Sequence, residues 1–422
     1  MDGKTGRALR RHEREHRLLP TTRPQVSGHR FMQRRVEHGL IFGDIRMIHD
    51  PLAMRRRAMA FGLAAAVIVG AVMGLLAWLR PNADPGDAPI LRASHGELFV
   101  RVDGAVHPVT NLTSARLITG AADNPVRVGD AHLVDLPRGV PVGLPAAPSH
   151  FAPKGGTAAA WSVCHAGETV TVAAGPHTNP LPPEHAVVAA SAQGEWLVTA
   201  QGRALLPGAD DPAGRVIRRA LGITPQTPRW HPPAQVLSAL RENPPLRLPD
   251  PLPELIQSED EWWMLTPDRA VQQVTQVQAA IMRNAGAQLT TTPRAELANY
   301  PDAVTAVKLH LPEVAPQNWE AAKVCVGADR GAVDVEQGEA TVRLSAGATA
   351  THFTGLDDGA VAVDTGHGYH VVSTHGLRHE VEDKNNLAVI GAERIEQAPW
   401  EIVSLLPEGD ALRRQEALAA LY

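Results

Sequence analysis

Residues 58–79 read AMAFGLAAAVIVGAVMGLLAWL and contain no charged side chain. As an α-helix rising about 1.5 Å per residue, this stretch would be roughly 33 Å long, which is enough to cross the hydrocarbon core of a bilayer. A cleaved signal peptide is the alternative, but 57 residues precede the stretch and the apolar run is too long for one. The sequence therefore predicts one transmembrane helix.

The charges that flank this stretch predict its orientation. Arg55, Arg56 and Arg57 stand directly before it, whereas Asp84 and Asp87 follow soon after it. Cytoplasmic flanks of membrane helices carry an excess of Lys and Arg. We therefore expect a basic cytoplasmic tail at residues 1–57, a single-pass helix at 58–79 with the N-terminus inside, and an external domain at 80–422.

The composition separates the tail from the rest of the chain. Residues 1–57 contain 14 Lys and Arg against 6 Asp and Glu, a net charge of +8, so the remainder carries −13 of the total of −5. A nucleic-acid-binding protein would more typically have a basic domain, so no nucleic-acid partner is predicted. Aromatic residues make up 4%, while Gly (36) and Pro (35) are abundant, which favours short strands and many turns.

The first part of the tail contains the pattern HEREH at residues 12–16. This spells the H-E-x-x-H signature of zinc proteases, in which two His on one helix face bind the metal and the Glu acts as a base. A zinc site also needs a shaped cleft and a third ligand, and neither is evident among the surrounding arginines. A solvated, charged helix is the preferred interpretation, and no metal site is predicted.

The second part of the tail, residues 26–52, has an amphipathic helical pattern. Ser27 is a suitable cap, and apolar residues then recur at helical spacing with arginines between them. A basic amphipathic helix beside a membrane either lies on anionic lipid or docks on a partner, and the pattern leaves both open. The candidate docking residues are Phe31, Arg34, Arg35, Val36 and Leu40.

Four stretches of the external domain share one pattern of strand, tight turn, second strand and short helix. They are LFVRVDGAVHPV from Leu98, WLVTAQGRALLP from Trp196, WWMLTPDRAVQQV from Trp262 and HVVSTHGLRHEV from His370. Each leads to a helical pattern that ends near a glycine, and glycine just past a helix is a common stop. The closing glycines are Gly120, Gly222, Gly286 and Gly391. The sequence therefore predicts four hairpin-helix repeats.

The segments between the repeats are β-like and suggest a central domain. Repeat 1 is placed at about 90–121, repeats 2 and 3 at about 193–299, and repeat 4 at about 366–400. The central β-rich domain would combine residues 122–192 and 300–365. The predicted fold class is therefore a single transmembrane helix plus an α+β ectodomain, elongated, with four hairpin-helix repeats around a central β-rich domain.

Cys164 and Cys325 are the only two cysteines. An even pair outside the cytoplasm favours a disulfide, although two buried free thiols are the alternative. A bond between them would close a loop of roughly 160 residues and stabilise the fold by up to roughly 5 kcal/mol in the chain-entropy model. It would clamp the base of the inserted repeats 2 and 3.

The sequence contains no recognisable catalytic signature. The phosphate-loop pattern G-x-x-x-x-G-K-[ST] is absent, and the stretch KGGT at residues 154–157 lacks its spacing and the preceding strand. Four histidines cluster at His367, His370, His375 and His379, but they straddle a predicted hairpin in which side chains alternate between faces. We interpret them as surface histidines, and predict no catalytic residue, metal ligand or cofactor site.

Taken in order, these features resemble the EccB family, a membrane component of the type VII (ESX) secretion system of actinobacteria. The resemblance covers nearly the whole chain. It rests on QVSGHRFMQRRVEHGLIFGDIRMIHDPL from Gln25, the single helix after Arg57, the four repeats and the two Val-Cys cysteines. The tail segment and the cysteine pair are its most specific parts.

The resemblance implies a place in a hexameric core complex of the inner membrane, with the EccC motor ATPase, EccD and EccE as partners and the mycosin protease as a further implied partner. It implies that the external domain is periplasmic and assembles with copies of itself, and that residues 25–52 dock on EccC and EccD. Members are often labelled ATPases, so ATP is implied as a cofactor by the resemblance alone.

Three functions follow from these observations. The first is a structural subunit that forms the periplasmic part of a protein-export channel. The second is an envelope enzyme, either a nucleotide hydrolase or a wall-remodelling enzyme. The third is a non-catalytic wall-binding anchor that would use Trp196, Trp262 and Trp263 to stack on sugars, although such residues more often start a buried strand.

Overall fold

The structure, a computed structural model, describes residues 21–43, 45–46, 51–78, 84–175, 177–335, 341–345 and 347–422. The chain forms two compact units, Met1–Pro81 and Asn82–Tyr422. The HEREH pattern at residues 12–16 lies outside the described residues.

The N-terminal unit contains helices α1 (Arg23–Phe42) and α2 (Pro51–Trp78). We expected Ser27 to cap the tail helix, but α1 begins at Arg23, directly after Thr22. The backbone N–H of Thr22 donates to Gln25 Oε1 at 3.0 Å, and Pro24 occupies the first turn, where its missing N–H costs nothing. These two features outweigh the capping potential of Ser27.

Helix α2 contains the predicted apolar stretch. Its 23-residue segment Met54–Leu76 contains an 18-residue window with a mean hydropathy of 2.4, none of it buried, and α2 is the one helix in the described part of the chain that is long and apolar enough to cross a membrane. The helix begins at Pro51, so Arg55 to Arg57 belong to its first turns. The chain therefore has one candidate membrane-spanning helix, followed by a sheet-rich domain.

The second unit begins with a four-stranded sheet, which we call module 1 (residues 90–142). Its strands lie in the order β3-β2-β1-β4, and β1 and β4 are parallel. The turn between β2 and β3 is Asp103-Gly104, both with positive φ, as a two-residue hairpin requires. Its elements are β1 (Ile90–Arg92), β2 (Leu98–Val102), β3 (Ala105–Val109), α3 (Leu112–Thr119), β4 (Val126–Arg127) and α4 (Asp130–Val134).

The chain next forms the first half of a central sheet and then module 2 (residues 185–246). The central strands are β5 (Ala160–Ala166), β6 (Thr169–Gly175) and β7 (Asn179–Pro180). Module 2 has the order β11-β8-β9-β10-β12. Its elements are β8 (His185–Ser191), β9 (Gly194–Thr199), β10 (Gly202–Leu205), α5 (Pro212–Ala220), β11 (Arg229–Trp230), α6 (Ala234–Ala239) and β12 (Glu242–Asn243).

Module 3 (residues 255–303) follows, with the order β15-β14-β13-β16. Its elements are β13 (Leu255–Ser258), β14 (Glu261–Leu265), β15 (Val271–Val274), α7 (Gln276–Asn284), β16 (Leu289–Thr291) and α8 (Arg294–Leu297). The chain then returns to the central region. Strand β17 (Asn318–Trp319) pairs with β8 of module 2, and the strands that return to the central sheet are β18 (Val324–Gly327), β19 (Ala332–Asp334), β20 (Val342–Arg343) and β21 (His352–Gly355).

Module 4 (residues 361–412) completes the chain with the order β24-β23-β22-β25. Its elements are β22 (Val361–Asp364), β23 (Tyr369–Val372), β24 (Arg378–Val381), α9 (Lys384–Ile390), β25 (Ile395–Gln397) and α10 (Trp400–Val403), and α11 (Arg414–Ala417) follows. In all four modules an antiparallel three-stranded meander leads through a helix to a strand parallel to the first. A parallel return needs such a crossover, which explains the helix at this position.

Each module closes with a segment that sequence reasoning missed, because we ended each repeat near the glycine after its helix. The chain continues through a second short helix and then runs parallel to the third strand, which covers that edge. The equivalent backbone hydrogen bonds are Val106 N to Pro137 O, Arg203 N to Arg241 O and Val271 N to Pro301 O, each at 2.8 Å, and Arg378 N to Pro407 O at 3.0 Å.

The central sheet has the order β20-β21-β6-β5-β18-β19-β7. Four strands that we expected in the central domain lie elsewhere: β4 pairs with β1 in module 1, β8 pairs with β9 and β17 with β8 in module 2, and β22 pairs with β23 in module 4. Strands β8 and β22 each join a strand that follows closely in the sequence, and such local pairing costs little loop-closure entropy.

Two of the apolar cores are each shared by a pair of modules. One buried cluster combines residues of modules 1 and 4, and another combines modules 2 and 3. A third surrounds the central sheet and includes Trp161, Trp230 and Phe353, which are fully or almost fully buried. These three largest clusters are each built from segments that are distant in the sequence.

These cores give a matched test of burial. Val371 is 0% exposed in the core shared by modules 1 and 4, whereas Val304 is 99% exposed. We expect Val371→Ala to lower the free energy of unfolding by about 2 kcal/mol, because it removes buried methyl groups and leaves a cavity. The same change in Val304→Ala should stay within about 0.5 kcal/mol of wild type. Urea unfolding followed by tryptophan fluorescence checks both, and equal effects would contradict the core assignment.

Candidate functional site

Helix α1 presents all five predicted docking residues to solvent. Phe31 is 53% exposed, Val36 59% and Leu40 82%, and Arg34 and Arg35 are also exposed. Apolar side chains this exposed on a helix that also carries charge are unusual in an isolated soluble domain. The helix is therefore a candidate interaction surface.

The helix does not bring the five residues onto one face. Val36 and Leu40 are four residues apart and lie on one side, and Met32, which sequence reasoning missed, extends this row by one turn. We call Met32, Val36 and Leu40 the apolar stripe. Arg34 lies on roughly the opposite side, since two residues correspond to about 200° around a helix. Phe31 and Arg35 lie between the two sides.

The ectodomain contains the predicted disulfide. Cys164 on β5 and Cys325 on β18 are bonded, and they face each other in register across neighbouring antiparallel strands, with Cα atoms 4.0 Å apart. Both are 3% exposed. They are separated by 161 residues in the sequence, and modules 2 and 3 lie between them. The bond therefore ties a central strand that precedes these two modules to a central strand that follows them.

Two further side chains of β5 link the central sheet to the modules. Trp230 Nε1 of module 2 donates to His165 Nδ1 at 2.9 Å, and burial lowers the pKa of His165, which favours the neutral ring that can accept this bond. Trp161 Nε1 donates to Glu396 of module 4 at 3.2 Å. Glu396 also pairs with Arg394, and it is buried.

The histidine cluster of module 4 corrects one expectation. His367 and His375 are exposed, as expected, but His370 and His379 are buried. Burial lowers the pKa of both buried rings. His379 Nδ1 lies 2.8 Å from Asp410 O on the closing segment, and His370 packs beside Trp400. The alternation was correct, since the two rings lie on opposite faces of the sheet, but α10 and the closing segment, which were not predicted, each cover one of them.

The structure also shows where the possible phosphate loop and the three possible sugar-stacking tryptophans lie. Residues 154–157 form an exposed turn that leads toward strand β5, whereas a phosphate loop leads into a helix. Trp196 is buried beneath Arg203, whose guanidinium lies 4.5 Å from its ring centre, while Trp262 and Trp263 are half-buried. The described residues contain no group of three or more His, Cys, Asp or Glu arranged to hold a metal ion.

A partly buried charge network stabilises module 2. The Glu195 carboxylate accepts hydrogen bonds from Arg218 and, at 3.0 Å, from Arg229 Nε. Burial alone would raise the pKa of Glu195, but the hydrogen bonds and positive charges of the two arginines outweigh it and lower the pKa. Arg218 also donates to Pro207 O, so the network fixes α5 against the end of the meander.

Comparison with known proteins assigns the chain to a family. The family described as "Type VII secretion system ESX-1, transport TM domain B" matches residues 18–254 and 254–421. The chain belongs to this family, EccB. The ESX-3 secretion system ATPase EccB3 of Mycolicibacterium smegmatis is 31% identical over 481 aligned residues, which cover 94% of this chain and 90% of the relative.

Solved structures share the fold of this EccB chain. A chain of an intact ESX-5 inner membrane complex is similar with a TM-score of 0.64 and 26% identity, covering 97% of both chains. The EccB3 dimer from the ESX-3 core complex also gives a TM-score of 0.64 at 26% identity, covering 79% of this chain and 100% of the EccB3 chain. The similarity therefore extends over both the N-terminal unit and the ectodomain.

The disulfide yields a test of stability. Replacing both cysteines in Cys164→Ala/Cys325→Ala should lower the free energy of unfolding by up to about 5 kcal/mol, because the open chain gains the entropy that the bond removes from the unfolded state. Denaturation of the oxidised protein and the double variant measures this. A variant as stable as wild type would contradict the assigned role of the bond.

The Glu195 network yields a test of pH dependence. Because the pKa of Glu195 is lower in the folded protein than its ordinary value of 4.5, the network stabilises the fold above about pH 4.5 and this contribution is lost as the pH falls further. Glu195→Gln should lower the free energy of unfolding by about 2 kcal/mol at neutral pH. As the pH falls, the variant should lose less stability than wild type. Denaturant unfolding of wild type and variant at several pH values from 7 to 3 measures this. The same dependence of unfolding free energy on pH in both proteins would contradict the proposed linkage.

Proposed function

We propose that this EccB chain is a structural subunit of a type VII secretion membrane complex and forms the periplasmic part of its export channel. The observation that carries the proposal is the combination of one exposed apolar helix with a disulfide-linked, multi-module ectodomain in a chain that the family matches over residues 18–254 and 254–421. The likeness to a chain of an intact ESX-5 inner membrane complex supports it.

The proposal places the N-terminus in the cytoplasm and the ectodomain in the periplasm. Arg55, Arg56 and Arg57 at the start of the membrane segment support this orientation through the positive-inside rule. The disulfide supports it independently, because such bonds persist in oxidising compartments such as the periplasm.

We propose that the four modules are repeats of one unit arranged around a central β-rich domain. Their common strand order and the pairing of their cores support descent from one repeated unit. We propose that these rigid modules supply the surfaces through which copies of the chain assemble within a hexameric complex.

The partners proposed for this subunit are EccC, EccD, EccE and the mycosin protease, as the family resemblance implies. The tail would dock on the cytoplasmic parts of EccC and EccD. The apolar stripe supports this part of the proposal, since three exposed apolar residues at four-residue spacing are the pattern by which an amphipathic helix enters a groove.

We further propose that the chain contributes scaffolding, while nucleotide hydrolysis belongs to the motor ATPase. The exposed turn at residues 154–157 supports this view because it lacks the helix that a phosphate loop needs. ATP would therefore act through EccC, and the word ATPase in the name of the EccB3 relative describes that relative.

The apolar stripe provides the test of docking. Leu40→Ala should weaken attachment to the complex by about 2 kcal/mol, or roughly 30-fold, because it removes an anchor of the proposed interface. Ile41→Ala is the matched control, since Ile41 is also exposed but lies about 100° further around the helix. Co-purification with EccC from gently solubilised membranes measures attachment. Equal recovery with the two variants would contradict docking through the stripe.

A further inference from the structure

Helix α1 has a second exposed surface on the side away from the apolar stripe. Arg23, Arg30 and Arg34 are spaced by seven and four residues, so they lie in one row along the helix. All three are exposed. We call this row the arginine face.

The contact between the two helices of the N-terminal unit shows where this side of α1 is directed. Glu37 is the only acidic residue of α1, and it lies beside the arginine face, three residues after Arg34. Its Oε2 pairs with Arg56 Nη2 of α2 at 3.0 Å. Arg56 lies near the start of the apolar segment Met54–Leu76, where a membrane-spanning helix meets the lipid headgroups. The pair therefore holds this side of α1 beside the headgroup region.

The arginine face is shaped as well as charged. The three arginines and Ser27, together with Thr21, Val26 and Phe31, line an open depression of about 470 Å³. Guanidinium and hydroxyl groups are donors suited to phosphate oxygens, and guanidinium can bind two of them at once. The Glu37 carboxylate is paired with Arg56.

We propose that the arginine face binds the phosphate groups of anionic phospholipids in the leaflet that surrounds the start of α2. The helix then lies along the membrane surface on its arginine face, while the apolar stripe remains accessible to a protein partner. Lipid binding would fix the orientation of the stripe before the complex assembles. Each arginine close to an anionic surface strengthens such binding about fivefold.

The test uses the full chain in nanodiscs made of phosphatidylcholine alone or of phosphatidylcholine mixed with phosphatidylglycerol. Hydrogen exchange of the α1 amides should be slower in the anionic nanodiscs, and the protection should decrease as salt is raised. Arg30→Gln should weaken the lipid-dependent protection about fivefold. Arg35→Gln removes the same charge from a position about 100° or more from the face and should have a much smaller effect.

Two additional arms distinguish lipid binding from the binding of a free anion or an acidic protein. Inorganic phosphate added to neutral nanodiscs should not reproduce the protection, whereas full protection by phosphate would show a free-anion site and overturn the proposal. Equal exchange in the two nanodiscs would also overturn it, and would leave an acidic protein as the ligand of this face. If Arg30→Gln and Arg35→Gln lose the same amount of lipid-dependent protection, the attraction is nonspecific and the proposed oriented surface is overturned.

Spin labelling tests the orientation of α1 on the membrane without removing an arginine from the helix. Both native cysteines are in the disulfide, so a single introduced cysteine can be spin-labelled selectively. With Ser27→Cys, the label should be accessible to a paramagnetic headgroup lipid, and with Met32→Cys it should be accessible to a water-soluble relaxer. The same accessibility at both positions would contradict the proposed orientation.

Discussion

Strand β5 connects the parts of the ectodomain that the chain order would otherwise separate. This one strand contributes Trp161 to the bond with Glu396 of module 4, Cys164 to the disulfide and His165 to the bond with Trp230 of module 2. The disulfide lies between two strands of one sheet, so it fixes their register as well as their proximity. Modules 2 and 3 lie within the chain segment that this disulfide closes.

This constraint explains why the cores pair as they do. Modules 2 and 3 are adjacent in the sequence and share one core, whereas modules 1 and 4 come from the two ends of the ectodomain and share another. The second pairing requires the chain to close on itself. Arg116 of α3, which donates to Ile390 O at 2.9 Å, and Arg414 of α11, which donates to Ile118 O at 2.9 Å, both bridge this junction. Burial of apolar surface supplies most of the stabilisation, and these bonds satisfy carbonyl groups at helix ends.

Local signals in the sequence predicted local structure. The tight turn at Asp103-Gly104 and the four closing glycines all act within a few residues, and the structure has positive φ at each of those glycines. The cysteine pairing could also be predicted, because only two cysteines are present. The closing segments could not be predicted from local signals, since the parallel bridge between Arg378 and Glu408 joins residues 30 positions apart in the sequence. For the same reason, His379 was expected at the surface although Asp410 covers it.

For the tail helix, too, the sequence predicted some features and missed others. Its apolar and basic residues were recognisable from spacing, but the separation of the apolar stripe from the arginine face appears only when helix positions are compared. The contact of Glu37 with Arg56 relates these faces to the membrane segment. An anchoring helix, a tail with two distinct faces and a rigid ectodomain are the properties expected of a subunit that connects cytoplasmic and periplasmic layers of one complex.

The composition of the native assembly that contains the chain tests the role of a structural subunit most directly. A tag at Tyr422, which is exposed, allows recovery from gently solubilised membranes, and a native gel with mass spectrometry then identifies the components. We expect one large membrane assembly that contains several copies of this chain together with the EccC motor ATPase. Recovery of a monomer, or of an oligomer of this chain alone, would contradict that role.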